Sequence, residues 1–174
     1  MTTATVVLCP PLPSAPEPYD TADTADALLD HRALGGRRVL SPAVPETEPG
    51  DDARTARAHW IAHLAVALST SAAQAPVMLV LAGSSGTVTA ALGFSQRASR
   101  RAVSRYVLVD AAVPPADDRS GDWPDAPVHY VASPVADPLE VNQARLRGWT
   151  VHEVVDTHPL TVADVLTTIA TSLA

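Results

Sequence analysis

Residues 77–87 of this 174-residue chain read VMLVLAGSSGT, and this stretch sets the expected fold. The five consecutive apolar residues from Val77 to Leu81 predict a strand that is buried on both faces, as in a parallel sheet. Residues 85–98 then have the apolar spacing of a helix, with Val88 and Leu92 directed inward. We therefore expect a sharp turn from strand to helix at residues 82–87.

The residues of this turn have the spacing small-x-Ser-x-Gly, centred on Ser84. A nucleophile held at the tip of a tight turn has strained backbone angles, so the residues two positions away must be small. Ala82 and Gly86 meet that condition. The amide of Ser85, at the start of the helix, would then face a developing oxyanion. The spacing predicts that Ser84 is an exposed nucleophile.

Three other interpretations of the turn remain open. Ser85 could be the nucleophile, flanked by Gly83 and Thr87, but threonine is β-branched and bulkier than the residues around Ser84. The turn could bind phosphate, although it lacks the lysine of a P-loop and the G-x-G-x-x-G of a dinucleotide fold. It could also be a Gly/Ser-rich helix start with no chemistry.

Strands and helices are predicted to alternate along the whole chain, separated by proline-rich segments at 10–18, 42–48, 114–127 and 134–138. The predicted strands are 5–8, 38–40, 77–81, 106–109, 128–131 and 151–155. The predicted helices are 21–34, 52–70, 85–98 and a last one capped by Thr161, with Asp51 as the cap of the second. This alternation predicts one α/β domain over 1–174, with a doubly wound, mostly parallel sheet and helices on both faces.

Composition narrows the class of protein. Hydrophobic residues make up 47% of the chain, which is enough for a core, and the formal net charge is −7, which argues against a nucleic-acid partner. The one basic cluster, Arg97 to Arg105, is interpreted as a solvated helix end. A single cysteine, Cys9, excludes an intrachain disulfide. No secretory signal and no membrane-spanning run is apparent, so we expect a soluble cytoplasmic protein.

A nucleophilic serine needs a base and an acid that orients the base. His158 is the histidine that follows a late strand and precedes the last helix, and Asp137 is the first carboxylate after the strand at 128–131. Asp137 precedes a proline and could instead cap a helix, and Asp156 is a local alternative to it as the acid. His59 and His63 have a metal-ligand spacing without a third ligand, so an exposed helix face is favoured. We predict no metal and no cofactor.

These segments resemble the α/β-hydrolase superfamily over most of the chain. Leu81 to Thr87 is similar to the strand-G-H-S-x-G-G elbow, and 106–110 is similar to the strand that follows it. Asp137-Pro138 resembles the acid loop, and Asp156 to His158 resembles the segment that carries the base. The chain is similar in size to small serine hydrolases with the elbow G-H-S-S-G. The resemblance implies a minimal fold without a cap domain, because 111–127 is too short for one.

Three departures from the superfamily pattern bear on activity. Gly83 stands where histidine is usual, and Thr157 stands where glycine usually precedes the base. In the loop after the first strand, residues 9–13 read CPPLP where a His-Gly pair is usual. That loop normally supplies the second oxyanion amide, and here only Leu12 has an amide hydrogen to donate, since proline has none. Loss of one such donor costs on the order of 3 kcal/mol in the transition state.

The first hypothesis is a serine hydrolase acting on a small ester or thioester, with a small-molecule substrate and with no nucleic-acid or membrane partner. Ser84 would attack, His158 would transfer the proton and Asp137 would orient His158. The amides of Ser85 and Leu12 would bind the oxyanion. The second hypothesis is a non-hydrolytic reaction, such as cyclisation or elimination, with His158 as base. The third is a non-catalytic binding domain that keeps the fold.

Overall fold

The computed structural model describes residues 3–12, 21–30, 37–43, 52–71, 73–115 and 123–172. Within these ranges, strands form a parallel sheet in the order β2-β1-β3-β4-β5-β6. The strands are β1 Thr5–Leu8, β2 Arg38–Leu40, β3 Val77–Ala82, β4 Val103–Val109, β5 Val128–Ala132 and β6 Thr150–Glu153.

Helices cover both faces of the sheet, as the alternation predicted. The helices are α1 Thr21–Asp30, α2 Ala53–Thr70, α3 Thr89–Ala98, α4 Pro138–Leu146 and α5 Pro159–Thr171. Helices α2, α3 and α4 pack in the core on one face, and α1 and α5 pack on the other. A 3₁₀ turn over Gly83–Val88 leads from β3 into α3, so the predicted helix at 85–98 is a 3₁₀ turn up to residue 88. The described residues contain no cap domain.

The central strand β3 explains the unbroken apolar run. All six of its residues are buried. Because side chains alternate along a strand, Leu79 and Leu81 pack toward α2 and α3, whereas Met78 and Val80 pack toward α1 and α5. A strand with helices on both sides therefore needs apolar residues at every position.

Strand β4 begins at Val103, three residues before the predicted start, and includes two buried polar residues. The Ser104 hydroxyl donates to the carbonyl of Val77 at 3.0 Å. Arg105 is 1% exposed, and its Nη2 donates to the carbonyl of Ser172 at 2.6 Å. The interpretation of Arg105 as part of a solvated helix end is therefore wrong, because hydrogen bonds from distant segments satisfy its guanidinium inside the fold.

Several element ends differ from the predicted ones. The carboxylate of Asp52 caps α2 by accepting from the amide of Thr55 at 2.7 Å, whereas the predicted cap Asp51 lies outside the described residues. Helix α5 begins at Pro159, and its cap, His158, lies three residues before the predicted cap Thr161. Strand β6 ends at Glu153 rather than residue 155. The predicted end of α1 at residue 34 lies outside the described residues.

The order of the strands reverses between β1 and β3. From β1 the chain crosses outward to β2 and then returns across β1 to β3. In open parallel sheets, the crevice at the carboxyl ends of the strands at such a reversal is the usual ligand site. The turn after β3 lies at this crevice. No described helix is both long and apolar enough to cross a membrane.

Candidate active site

The sharp turn after β3 is made at Gly83. Strand β3 ends at Ala82, and Gly83 follows with φ of +52°. This left-handed conformation costs little in glycine, because glycine has no Cβ to clash with the backbone. The residue at the tip of the turn therefore carries no side chain that could act as a nucleophile.

Ser84 is the first residue past the tip and lies within the 3₁₀ turn. Its Oγ is buried and has no hydrogen-bond partner among the described residues. The prediction that Ser84 presents an exposed hydroxyl on the turn is wrong for a physical reason. The left-handed backbone that projects a side chain outward occurs one residue earlier, at Gly83.

The buried side chain of Ser85 stabilises the turn through hydrogen bonds to Ala82. Its Oγ donates to the carbonyl of Ala82 at 2.7 Å and accepts from the amide of Ala82 at 3.0 Å. The Ser85 hydroxyl therefore makes both of these hydrogen bonds within the turn. Because the tip is Gly83, the amide that follows the tip belongs to Ser84. The prediction of an oxyanion amide at Ser85 assumed that Ser84 is the tip of the turn, and it stays a prediction.

The loop after β4 lies directly against this turn. The amide of Ala112 donates to the carbonyl of Gly83 at 2.9 Å. A Cβ built on Gly86 would lie 2.1 Å from the carbonyl oxygen of Ala112, so no other residue fits there without a backbone shift. Gly86 is the small residue that the turn was expected to need, but its small size allows the loop after β4 to pack against the turn.

His158 is exposed and caps the start of α5. Its Nδ1 accepts a hydrogen bond from the amide of Leu160 at 3.3 Å, so the neutral ring carries its proton on Nε2. A triad base needs the opposite tautomer, with the proton on Nδ1 facing the acid and a free Nε2 lone pair facing the serine. The nearby carboxylate of Asp156 accepts from the backbone amide of His158 at 3.1 Å, not from the ring.

Asp137 is exposed and caps α4, as the alternative interpretation of the sequence proposed. Its Oδ1 accepts from the amide of Leu139 at 2.9 Å, and Pro138 occupies the first helical turn. Ser84, Asp137 and His158, all described residues, make no hydrogen bond with one another. The structure does not assemble them into a triad, and their catalytic roles stay predictions.

The loop that was expected to supply the second oxyanion amide is anchored in the core. The side chain of Leu12 is buried, and the indole N–H of Trp60 donates to the carbonyl of Pro11 at 3.1 Å. Cys9, the residue after β1, is buried as well, and burial raises the pKa of its thiol well above the usual value. The thiol is therefore a protonated core group and not a nucleophile.

Sequence reasoning missed a contact between the carboxyl ends of β4 and β5. Asp110 has φ of +43°, which is uncommon for a residue other than glycine. Its carboxylate accepts from the amide of Ser133 at 2.8 Å and from the Ser133 hydroxyl at 2.6 Å. The available signal was an acidic residue directly after a buried strand. The contact fixes the edge of the sheet beside the turn.

A cleft of about 360 Å³ lies at this edge, between the ends of β5 and β6 and the start of α4. Its polar groups are the Ser133 side chain and an ion pair in which Arg145 Nη2 lies 2.6 Å from Glu153 Oε1. Apolar side chains on the two adjoining loops and helix starts are between 61% and 82% exposed, namely Val135, Leu139, Val155 and Leu160.

No arrangement that could hold a metal ion occurs in the described part of the chain, where no three His, Cys, Asp or Glu side chains come together. His59 and His63 are both exposed on α2, as expected for a solvated helix face.

Comparison with solved structures identifies the fold. A protein from Xanthomonas campestris pv. campestris, described as a hydrolase of the α/β superfamily, aligns with a TM-score of 0.59 at 15% identity, over 96% of this chain and 95% of that chain. The Vlm2 thioesterase domain aligns with a TM-score of 0.60 at 13% identity, over 97% of this chain and 93% of that one. An esterase from Pyrobaculum calidifontis aligns with a TM-score of 0.57 at 12% identity, over 98% and 78% of the two chains.

Neither a protein-family model nor a curated protein sequence matches the chain. The structural likeness shows that this chain has the α/β-hydrolase fold, without a cap domain in its described part. Its structural neighbours are esterases, a thioesterase domain and other hydrolases of the superfamily. At identities of 12–15%, their activities do not transfer to this chain.

Proposed function

We propose that this chain uses the α/β-hydrolase fold to bind a small apolar acyl compound without forming an acyl-enzyme. The observation that carries the proposal is the glycine at the tip of the turn after β3. Covalent catalysis needs a nucleophilic side chain at that position, next to a base of the correct tautomer. Gly83 supplies no side chain, and His158 has its Nδ1 occupied by a helix cap.

The class of ligand is inferred from the carboxyl edge of the sheet. The cleft of about 360 Å³ lies within the size range of small-molecule sites. Most of the residues that line it are apolar, among them Ala132, Val141 and Val154, and they suit a short acyl chain. The names of the structural neighbours, which are esterases and a thioesterase domain, favour an ester or thioester over other apolar compounds.

Serine hydrolysis is the competing function, and one experiment separates the two. Ethyl butyrate is added to ¹⁵N-labelled protein, and amide shifts and ethanol release are followed together by NMR. We expect the amides of Ser133 and Val154 to shift while the ester remains intact. Ethanol release that disappears in Ser84→Ala would establish a serine hydrolase and overturn the proposal. Absence of shifts at millimolar ester would equally rule out ester binding.

Ser85→Ala is the matched control for the loss of a serine hydroxyl in the same turn. Ser85 has local hydrogen bonds that Ser84 lacks, so this variant reports any disturbance of the turn itself. A fluorophosphonate probe gives a second readout on the same variants. We expect no labelling of the wild-type chain, because neither hydroxyl is both exposed and next to a base.

A further inference from the structure

A second cleft lies at the opposite edge of the sheet, where β5 and β6 begin. Its volume is about 580 Å³. Strand β5 has five residues, so the two edges are about 16 Å apart at 3.3 Å per residue. Trp123, Arg147 and Trp149 are among the residues that line it. This cleft is separate from the crevice in which the fold usually binds its ligands.

Two indole rings form a rigid apolar wall of this cleft. Trp123 packs edge-on against Trp149, with ring centroids 5.9 Å apart, and edge-on against Tyr106 at 5.5 Å. Tyr106 is in turn fixed by its hydroxyl, which donates to Asp125 at 2.7 Å. Trp123 is buried and Trp149 is partly buried, so the wall is largely formed before any ligand arrives.

Arg147 is the one formally charged side chain among the described lining residues. Its guanidinium lies 5.3 Å from the centre of the Trp149 ring, in a cation–π contact. It has no carboxylate partner in the described part of the chain, whereas Arg145, two residues earlier, is paired with Glu153. Stacking holds the planar guanidinium in place while its N–H donors remain available to a ligand.

We propose that this cleft binds a flat organic anion, such as an aromatic carboxylate. The ring of the ligand would pack against the indole wall, and its carboxylate would accept two parallel hydrogen bonds from Arg147. Charge complementarity supports an anion, because no acidic side chain is among the described lining residues. The volume lies within the range of sites for small organic molecules. The proposal is independent of the acyl-binding site at the other edge.

The three tryptophans of the chain give a direct readout of this binding. Trp123 and Trp149 line the cleft, whereas Trp60 is 1% exposed and its indole N–H donates to Pro11. Titration with 2-naphthoate should shift the indole N–H signals of Trp123 and Trp149 and leave that of Trp60 in place. The neutral 2-naphthamide, which has the same ring system, should bind about tenfold more weakly.

Two arginine variants test the role of the charge. Arg147→Gln should lower the affinity for 2-naphthoate about tenfold, to that of the amide, and should leave amide binding unchanged. Arg145→Gln removes the same charge two residues away, outside this cleft, and should bind naphthoate as the wild type does. An unmoved Trp60 signal shows that each variant is folded. The proposal fails if naphthoate leaves Trp123 and Trp149 unshifted at millimolar concentration, or if Arg147→Gln and Arg145→Gln bind it equally.

Discussion

At the scale of single residues, the chemistry of the turn depends on which residue adopts the left-handed backbone. Gly83 adopts it with φ of +52°, whereas an L-residue with a side chain pays about 1–2 kcal/mol there. In the superfamily, the nucleophilic serine occupies such a strained turn because the turn exposes its Oγ to the substrate. In this chain the strain is absent, and Ser84 and Ser85 are left as helix-start residues with buried hydroxyl groups.

The two serines are expected to contribute differently to stability. Ser84→Ala removes a buried hydroxyl that has no partner, so the free energy of unfolding should stay the same or rise by about 1 kcal/mol. Ser85→Ala removes two hydrogen bonds to Ala82 and should lower it by about 1–2 kcal/mol. Urea unfolding measures both values. A larger loss in Ser84→Ala than in Ser85→Ala would show that the Ser84 hydroxyl has a partner.

At the scale of elements, helices α4 and α5 use the predicted acid and base as caps. Each helix begins with a residue whose side chain accepts from the amide two positions later, followed by proline in the first turn. The orphan amides at a helix start need such an acceptor, and proline has no amide to satisfy. Asp137 and His158 therefore have structural reasons to be where they are.

Two substitutions of Asp137 measure its contribution to stability as a helix cap, apart from any catalytic role. Asparagine caps a helix about as well as aspartate, so Asp137→Asn should change the free energy of unfolding by only a few tenths of a kcal/mol. Asp137→Ala should lower it by about 1 kcal/mol, because the amide of Leu139 loses its acceptor. Chemical denaturation gives both numbers. If Asn and Ala destabilise equally, the charge rather than the cap is what α4 requires.

At the scale of the whole molecule, the sheet order puts β5 and β6 together at one end and brings two histidines into contact. His129 Nδ1 and His152 Nε2 are 3.0 Å apart, and the rings are stacked. Burial lowers the pKa of His129 to about 4, with the charges of His152 and Arg105 acting in the same direction. Burial also lowers the pKa of His152. The folded state therefore favours the neutral form of both rings.

This histidine pair should make the global stability depend on pH. Between the unfolded pKa of 6.5 and the folded value of about 4 for His129, the unfolded chain binds more protons than the folded one. The contribution of His129 is therefore complete above about pH 6.5 and is lost as the pH falls toward 4. Thermal unfolding from pH 7 to 4 should show a shallower decline for His129→Gln than for the wild type. Parallel curves for the two proteins would contradict this assignment.

The sequence predicts the bounds of β3 more closely than those of β4. The position of β3 follows from its own composition, because a strand covered on both faces must be apolar throughout. The start of β4 does not, because Ser104 and Arg105 are polar in sequence and are buried with hydrogen bonds to residues distant in the chain, among them Val77 and Ser172. A local apolar pattern carries no information about hydrogen bonds to residues that are distant in the chain.

The same distinction separates the fold from the site. The alternation of apolar runs, amphipathic helices and proline-rich loops is local, so the sequence by itself determined the parallel α/β architecture and the turn after β3. Which residue of that turn became the tip was decided by tertiary contacts. The loop after β4 binds the carbonyl of Gly83 and fills the space above Gly86, and this packing sets the backbone angles of the turn. Several spacings of small residues are compatible with a sharp turn, and only the packed neighbour selects one of them.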